Sequence, residues 1–135
     1  LIVKDGEGAT KIIQLNIINA RETKLAQEIC KKVSRSLLVK TAMYGEDPNW
    51  GRIIASLGSI QSTILNIKKI KLYINDILCF ENGEAIDDGS AKLKKSMKKN
   101  KIIITINLNN GKFRQTVYFS DLSHEYVAIN SEYTT

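Results

Sequence analysis

A chain of 135 residues is long enough for a single domain over residues 1–135, burying roughly two thirds of its unfolded surface without metal or disulfide staples. Hydrophobic residues make up 43% and charged residues 25%, ordinary for a water-soluble fold, and no apolar run approaches the ~20 residues of a membrane helix. The net charge of +6, from 20 basic and 14 acidic residues, permits anion or nucleic-acid binding without requiring it.

In chain order, Leu1–Val3 is a candidate short strand, followed by a polar loop in which Glu7 stands between Gly6 and Gly8. Such a loop can bend sharply or approach a ligand closely, so Glu7 can offer a carboxylate to a substrate ammonium or be a plain exposed acid. Lys11–Asn19 is rich in β-branched residues and reads as a strand. Thr23 is a candidate cap for a helix from Lys24 to about Ser36, with Leu25, Ala26, Ile29, Cys30, Val33 and Leu37 on one stripe.

The stretch Lys40–Gly58, KTAMYGEDPNWGRIIASLG, holds the only Pro, the only Trp, and the acids Glu46 and Asp47 close to Arg52. Asp47 or Asn49 is a candidate helix cap, Pro48 suits a first helical position, and Ile53, Ile54 and Leu57 follow at helical spacing before a stop at Gly58. The pattern predicts a tight polar loop feeding a short buried helix, with Trp50 largely buried. Such a loop on a rigid element suits function, and it equally suits a turn with a cap and an aromatic filler.

Ile67–Ile74 and Ile77–Phe80 read as a hairpin about Asn75-Asp76, and Asn82-Gly83 as a second turn. Asp87 or Asp88 is the expected cap of a lysine-rich helix reaching about Lys99. Lys101–Leu108 and Lys112–Ser120 read as a second hairpin through Asn109-Asn110-Gly111, and a last helix starting at Ser120 or Asp121 carries Leu122, Tyr126, Ile129 and Tyr133 on one face. Hairpins alternating with helices indicate an α/β or α+β sheet layered with helices.

Chemistry-bearing residues are sparse. The basic excess lies in Lys68, Lys69 and Lys71 and in Lys92, Lys94, Lys95, Lys98, Lys99 and Lys101. No aromatics are interleaved as a single-strand binder requires, so these lysines read as a solvated face, and neither nucleic acid nor membrane is an expected partner. Cys30 and Cys79 have no metal spacing and read as small buried apolar groups in a reducing compartment. His124, the single histidine, has general-base chemistry but no assigned nucleophile beside it and reads as a surface residue. Leu1 is not an initiator Met, so the sequence is expected to start mid-gene or after a cut, and a targeting segment upstream of it would not be visible here.

Three separated stretches carry a resemblance. TAMYGEDPNWGRIIASLG, the early VKDGEGATK and the terminal YVAINSEYTT together resemble the ornithine acetyltransferase family, also called glutamate N-acetyltransferase, of arginine biosynthesis. The resemblance runs through the whole chain and covers the C-terminal part of a family protein. It implies a sandwich of helices flanking stacked sheets, packed on a partner segment that holds the rest of the active site. It also implies cytoplasmic work, an α2β2 assembly with an upstream chain, and N-acetylornithine and glutamate as substrates, with acetyl-CoA a donor in some members and no resident cofactor.

By this resemblance Glu7, Asn130 and Thr135 match the family's substrate-binding residues. Asn supplies donors and an acceptor and Thr a hydroxyl, groups able to hold the carboxylate of an amino acid. Without the resemblance, Asn130 is a helix-face residue and Thr135 a chain terminus. The family's nucleophile is a threonine freed by self-cleavage and activated by its own amine. Thr10 follows Ala9 but lacks the apolar run after the family's cleavage threonine, and neither it nor Thr41 is assigned. The chain therefore is expected to supply walls and substrate contacts, with no catalytic residue of its own. Two other readings are a related self-processing amidohydrolase and a non-catalytic module using its lysines on an acidic partner.

Overall fold

The computed structural model describes residues 11–60, 65–86 and 90–121. Their centre is a mixed six-stranded sheet in the order β4-β3-β2-β5-β1-β6. The strands are β1 (Ile12–Ala20), β2 (Lys71–Ile74), β3 (Ile77–Glu81), β4 (Glu84–Ala85), β5 (Lys101–Asn107) and β6 (Phe113–Ser120). Strand periodicity sends alternate side chains to opposite faces. In β1, β5 and β2 it buries Ile13, Leu15 and Ile17, Ile102, Ile104 and Ile106, and Leu72 and Ile74 on one face. The register aligns these sets, with Ile13 opposite Ile102, Leu15 opposite Ile104 and Leu72 opposite Ile106. The mixed α/β architecture expected from the sequence is the one observed, as a single six-stranded sheet with helices packed on it among the described residues.

Among the described residues four α-helices accompany the sheet: α1 (Thr23–Ser34), α2 (Leu37–Tyr44), α3 (Trp50–Gly58) and α4 (Ala91–Ser96). α1 packs on β1 and β6 and touches α3, burying Leu25, Ala26, Ile29, Cys30 and Val33. The expected apolar stripe ends there, because Leu37 is 51% exposed and belongs to α2. Ser36 ends one helix and starts the next: its extended backbone interrupts α1, and its hydroxyl accepts from Val39 N–H at 3.2 Å. The expected cap Thr23 is already helical; Glu22 holds that position without a side-chain bond.

Other boundaries shift for similar reasons. α4 is capped by Ser90, whose Oγ accepts from Leu93 N–H at 3.1 Å; Asp87 and Asp88 lie outside the described residues. Ile67–Lys69 is a 3-10 turn rather than strand, because Asn66 Oδ1 accepts from Lys68 N–H and folds the backbone locally. Asn75 (φ 51°) and Asp76 (φ 65°) form the expected turn of the β2–β3 hairpin, both in the left-handed region that type I′ turns need.

The predicted hairpin of the last two strands does not form. β5 and β6 are separated by β1, which runs parallel to β5 and antiparallel to β6. The connecting loop crosses the end of β1 and is tied to it: Leu108 N–H donates to Ile18 O and Asn110 N–H to Asn19 O, each at 3.0 Å, while Arg21 N–H donates to Asn110 Oδ1 at 2.9 Å. Local turn residues therefore gave the right loop and the wrong pairing. The expected first strand at Leu1–Val3 and the last helix lie outside the described residues.

Candidate active-site face

Lys11 precedes β1 with the same parity as Ile13, Leu15 and Ile17, which sends its side chain to the buried face. It is only 4% exposed. A buried ammonium is costly unless it is paired and hydrogen-bonded, and both conditions are met. Lys11 Nζ lies 3.1 Å from Glu46 Oε2 and donates to the Lys99 carbonyl at 2.9 Å. The Lys11 backbone is held as well: its N–H donates to Asp121 Oδ1 at 2.9 Å, and Asp121 N–H donates back to Lys11 O at 3.3 Å. Asp121 is fully buried.

Glu46 reaches Lys11 from the loop between α2 and α3. The end of α2 is closed by Gly45 N–H to Thr41 O, Glu46 N–H to Met43 O and Asp47 N–H to Ala42 O. Two non-glycine residues, Glu46 (φ 57°) and Asn49 (φ 23°), sit at positive φ, a conformation that surrounding structure must enforce. Asp47 Oδ1 accepts from Asn49 N–H at 3.0 Å, an Asx turn. Neither Asp47 nor Asn49 caps α3 by its side chain, and Pro48 is buried before the helix rather than in its first turn. Arg52 Nη1 donates to Leu38 O at 3.0 Å, joining α3 to α2. Trp50 is partly rather than largely buried, with its ring 5.6 Å from that of Phe80 at 41°.

The strand-face opposite the apolar core carries a polar ladder. Asn16 Oδ1 accepts from Gln14 Nε2 at 3.0 Å and from Thr116 Oγ1 at 2.9 Å, and Asn16 Nδ2 reaches Thr105 Oγ1 at 3.4 Å. Burial pushes the Cys30 thiol up to about 11 and holds the Lys40 ammonium below the usual lysine range. Cys30 and Cys79 are both buried free thiols, as the sequence suggested. The lysines Lys92, Lys94, Lys95, Lys98, Lys99 and Lys101 are solvent-exposed. Lys71 pairs with Glu81 at 3.3 Å. Among the described residues no helix is long and apolar enough to cross a membrane, and no group of His, Cys, Asp and Glu could hold a metal ion.

Glu7, Asn130 and Thr135 lie outside the described residues, as do Thr10 and His124. The described residues do fix the two points from which these segments leave. Glu7 is four positions before Lys11 and Asn130 nine positions after Asp121, and Lys11 and Asp121 are hydrogen-bonded to each other. Sequence reasoning took Lys11 as a strand residue and offered Asp121 as a helix start, and gave neither a part in the site; Asp121 instead follows β6 directly and accepts from Lys11 N–H. Their signal was available: each continues the inward parity of a strand, where a charged residue demands a partner.

A family model described as the ArgJ family matches residues 1–135. The chain is 42% identical over 135 residues to the arginine biosynthesis bifunctional protein ArgJ of Aquifex aeolicus (strain VF5), covering 99% of this chain and 35% of that protein. It is 41% identical over 146 residues to the glutamate N-acetyltransferase of Methanocaldococcus jannaschii, covering 100% of this chain and 35% of that protein. The crystal structure of arginine biosynthesis bifunctional protein ArgJ from Bacillus halodurans superposes with a TM-score of 0.86 at 33% identity, over 98% of this chain and 62% of that one. The chain thus spans about a third of the length of the curated relatives it matches. A match along every residue, in a fold that superposes on a solved relative, makes this chain a member of the ArgJ family.

Proposed function

We propose that this chain is the C-terminal part of an acetyltransferase of arginine biosynthesis, one that moves acetyl from N-acetylornithine to glutamate in the cytoplasm. The observation that carries the reading is the match of all 135 residues to the ArgJ family, with relatives named as ArgJ bifunctional proteins and a glutamate N-acetyltransferase. The upstream segments, which relatives of about three times this length possess, supply the nucleophile and complete an α2β2 assembly. A threonine hydroxyl there attacks the acetyl carbonyl of N-acetylornithine. The amide C–N bond breaks, the hydroxyl proton passes through the threonine's own amine to the leaving nitrogen, and ornithine departs. The amine of glutamate then attacks the acetyl ester, and the threonine hydroxyl is regenerated. Acetyl-CoA is a second donor substrate in the bifunctional form of this reading, and no resident cofactor is required.

In this reading Glu7 holds the substrate ammonium, and Asn130 and Thr135 orient its carboxylate. The paired strands β1 and β6 support it, because Lys11 and Asp121 root the two segments at one edge. Fully extended, four residues span at most about 14 Å and nine at most about 32 Å. Both segments therefore have the reach to meet.

The test is kinetic and uses the complete protein. Glu7→Gln removes a charge-assisted bond worth about 1.5–3 kcal/mol, so the KM for the amino-acid substrate should rise by roughly 10- to 150-fold. Deletion of Thr135 should act in the same direction and leave self-cleavage intact. Unchanged KM in both variants would remove these residues from the site. Release of free acetate with no acetylglutamate would identify an amidohydrolase instead.

A further inference from the structure

We infer that the cavity between α4 and the β2–β3 turn binds a small molecule carrying two or more phosphates, with Lys92, Lys95, Lys98 and Lys99 as its cations. The cavity measures about 520 Å³, within the range of small-molecule sites. Half-buried Asn75, Ile77 and Ser96 line it beside the four exposed lysines. The lysine face that the sequence marks as solvated therefore borders a cavity.

The spacing of these lysines gathers them. Residues three and four apart share one side of a helical coil, and the chain stays coiled beyond α4: Lys98 N–H donates to Lys95 O at 3.2 Å and Lys99 N–H to Ser96 O at 3.3 Å. Lys92, Lys95, Lys98 and Lys99 thus fall on one side, while Leu93 and Met97, both fully buried, anchor the other in the core. The facing turn is fixed by Asn75. Its Nδ2 donates to Ser96 Oγ at 2.9 Å, its Oδ1 accepts from Ile103 N–H at 2.9 Å, and its N–H donates to Ile103 O at 2.7 Å. The Lys99 carbonyl is pinned in turn, accepting from Lys11 Nζ at 2.9 Å. Turn, helix and strand are held together before any ligand arrives, which lowers the ordering cost of binding.

Charge says what the cavity takes. Among the described residues no acid lines it, not even Asp76 beside Asn75, and none of the four lysines has an ion-pair partner. Cations in a last helical turn suit the helix dipole, but Lys92 stands in the first turn of α4, and Lys98 and Lys99 lie past its end. Like charges about one cavity repel one another and concentrate anions in it. Another cavity of similar size, about 460 Å³ near the end of α1, shows the contrast: there Glu28 stands among Lys31, Lys32 and Arg35 and offsets their charge. The donors select the anion. Ammoniums act as point charges suited to phosphate, whereas the planar fork of arginine matches a carboxylate. Among the described residues neither an arginine nor an aromatic ring lines the α4 cavity, so the phosphates carry the binding rather than a stacked base.

The test is calorimetric titration of the complete protein with inorganic triphosphate, pyrophosphate and phosphate at low salt. Saturable binding of triphosphate is expected, roughly tenfold or more tighter than phosphate and weakening as salt rises. Lys95→Gln and Lys98→Gln should each weaken triphosphate binding about three- to fivefold, as loss of an exposed charge pair does, and together about tenfold or more. Lys31→Gln, in the cavity that holds Glu28, should change it little. All these side chains are exposed, so the variants should unfold thermally as wild type does. Absence of saturable binding overturns the proposal. So does equal affinity in wild type and the double variant, or a loss of the same size in Lys31→Gln, which would report net charge alone. A short single-stranded DNA bound more tightly than triphosphate, and lost in the double variant, would also overturn it by making the lysines a nucleic-acid face.

Discussion

Lys11 and Asp121 exchange two hydrogen bonds at the edge where β1 begins and β6 ends, from Lys11 N–H to Asp121 Oδ1 at 2.9 Å and from Asp121 N–H to Lys11 O at 3.3 Å. The carboxylate replaces the backbone carbonyl that would continue the antiparallel ladder after the Ile12–Ser120 pair. Asp121 is fully buried, so its removal leaves the Lys11 N–H without this acceptor in a place water does not reach. Asp121→Ala should therefore cost about 1–3 kcal/mol in denaturant unfolding. Asp121→Asn keeps an acceptor oxygen and should cost less; equal losses in the two variants would show that the charge, not the acceptor, matters.

The central loop makes a different prediction from the one its sequence suggested. A fully buried tryptophan costs about 3–5 kcal/mol on truncation, but Trp50 is only partly buried, and part of its contribution is the ring contact with Phe80 at 5.6 Å. Trp50→Ala should cost roughly 2–3 kcal/mol, with about 0.5–1.5 of it from the aromatic pair. A double-mutant cycle with Phe80→Leu measures that share. Asn49→Ala should show no loss of a side-chain cap, because α3 has none, whereas Ser36→Ala should lose about 1 kcal/mol through α2.

How far the sequence revealed the fold depends on the range of the forces involved. The alternation in β1 and the Asn75-Asp76 and Asn82-Gly83 turns act between neighbours, and each appeared where expected. The pairing of β1 between β5 and β6 was not legible, since a hairpin and a strand insertion use the same turn residues; only tertiary packing decides between them. Ser36 was hidden because it falls on a run of helix formers, and its capping role depends on where the backbone turns. Of the candidate site, the Glu46 loop was marked by its unusual composition, but its partner Lys11 was not, because a lysine at the first position of a strand also reads as solvated. Asn130 and Thr135 came from resemblance alone, whereas Glu7 was marked first by its place between two glycines and then by the resemblance.

Burial makes Cys30 a sensor of alkaline unfolding. Its thiol, buried in α1, is pushed up to about 11. The folded protein keeps the proton where the unfolded chain has released it, so the stabilising contribution is complete below the unfolded thiol pKa and is lost as pH rises through about 11. Thermal stability should fall between about pH 9 and 11, by on the order of 2 kcal/mol from this group. Cys30→Ala should flatten that part of the profile, at the expense of a small cavity. Alkylation of Cys30 in the native protein at pH 8 should be slow and should track unfolding; rapid native labelling would contradict its burial.

Gly111 tests the strand insertion itself. A Cβ at this position would overlap Ala20 O and stand 2.5 Å from Arg21 Cα, both backbone atoms at the end of β1. The loop between β5 and β6 must pass over that end closely, and only glycine leaves room. Gly111→Ala should then destabilise by roughly 2 kcal/mol or more, since backbone atoms cannot yield as a flexible side chain does. Gly58 is the control: it ends α3 with no atom within 4 Å of where a Cβ would stand, at a backbone conformation open to alanine. Gly58→Ala should stabilise by up to about 1 kcal/mol through helix propensity. Opposite signs for the two substitutions are expected in urea unfolding. A neutral Gly111→Ala would mean that the loop does not press on β1, and the predicted β5–β6 hairpin would return as the better pairing.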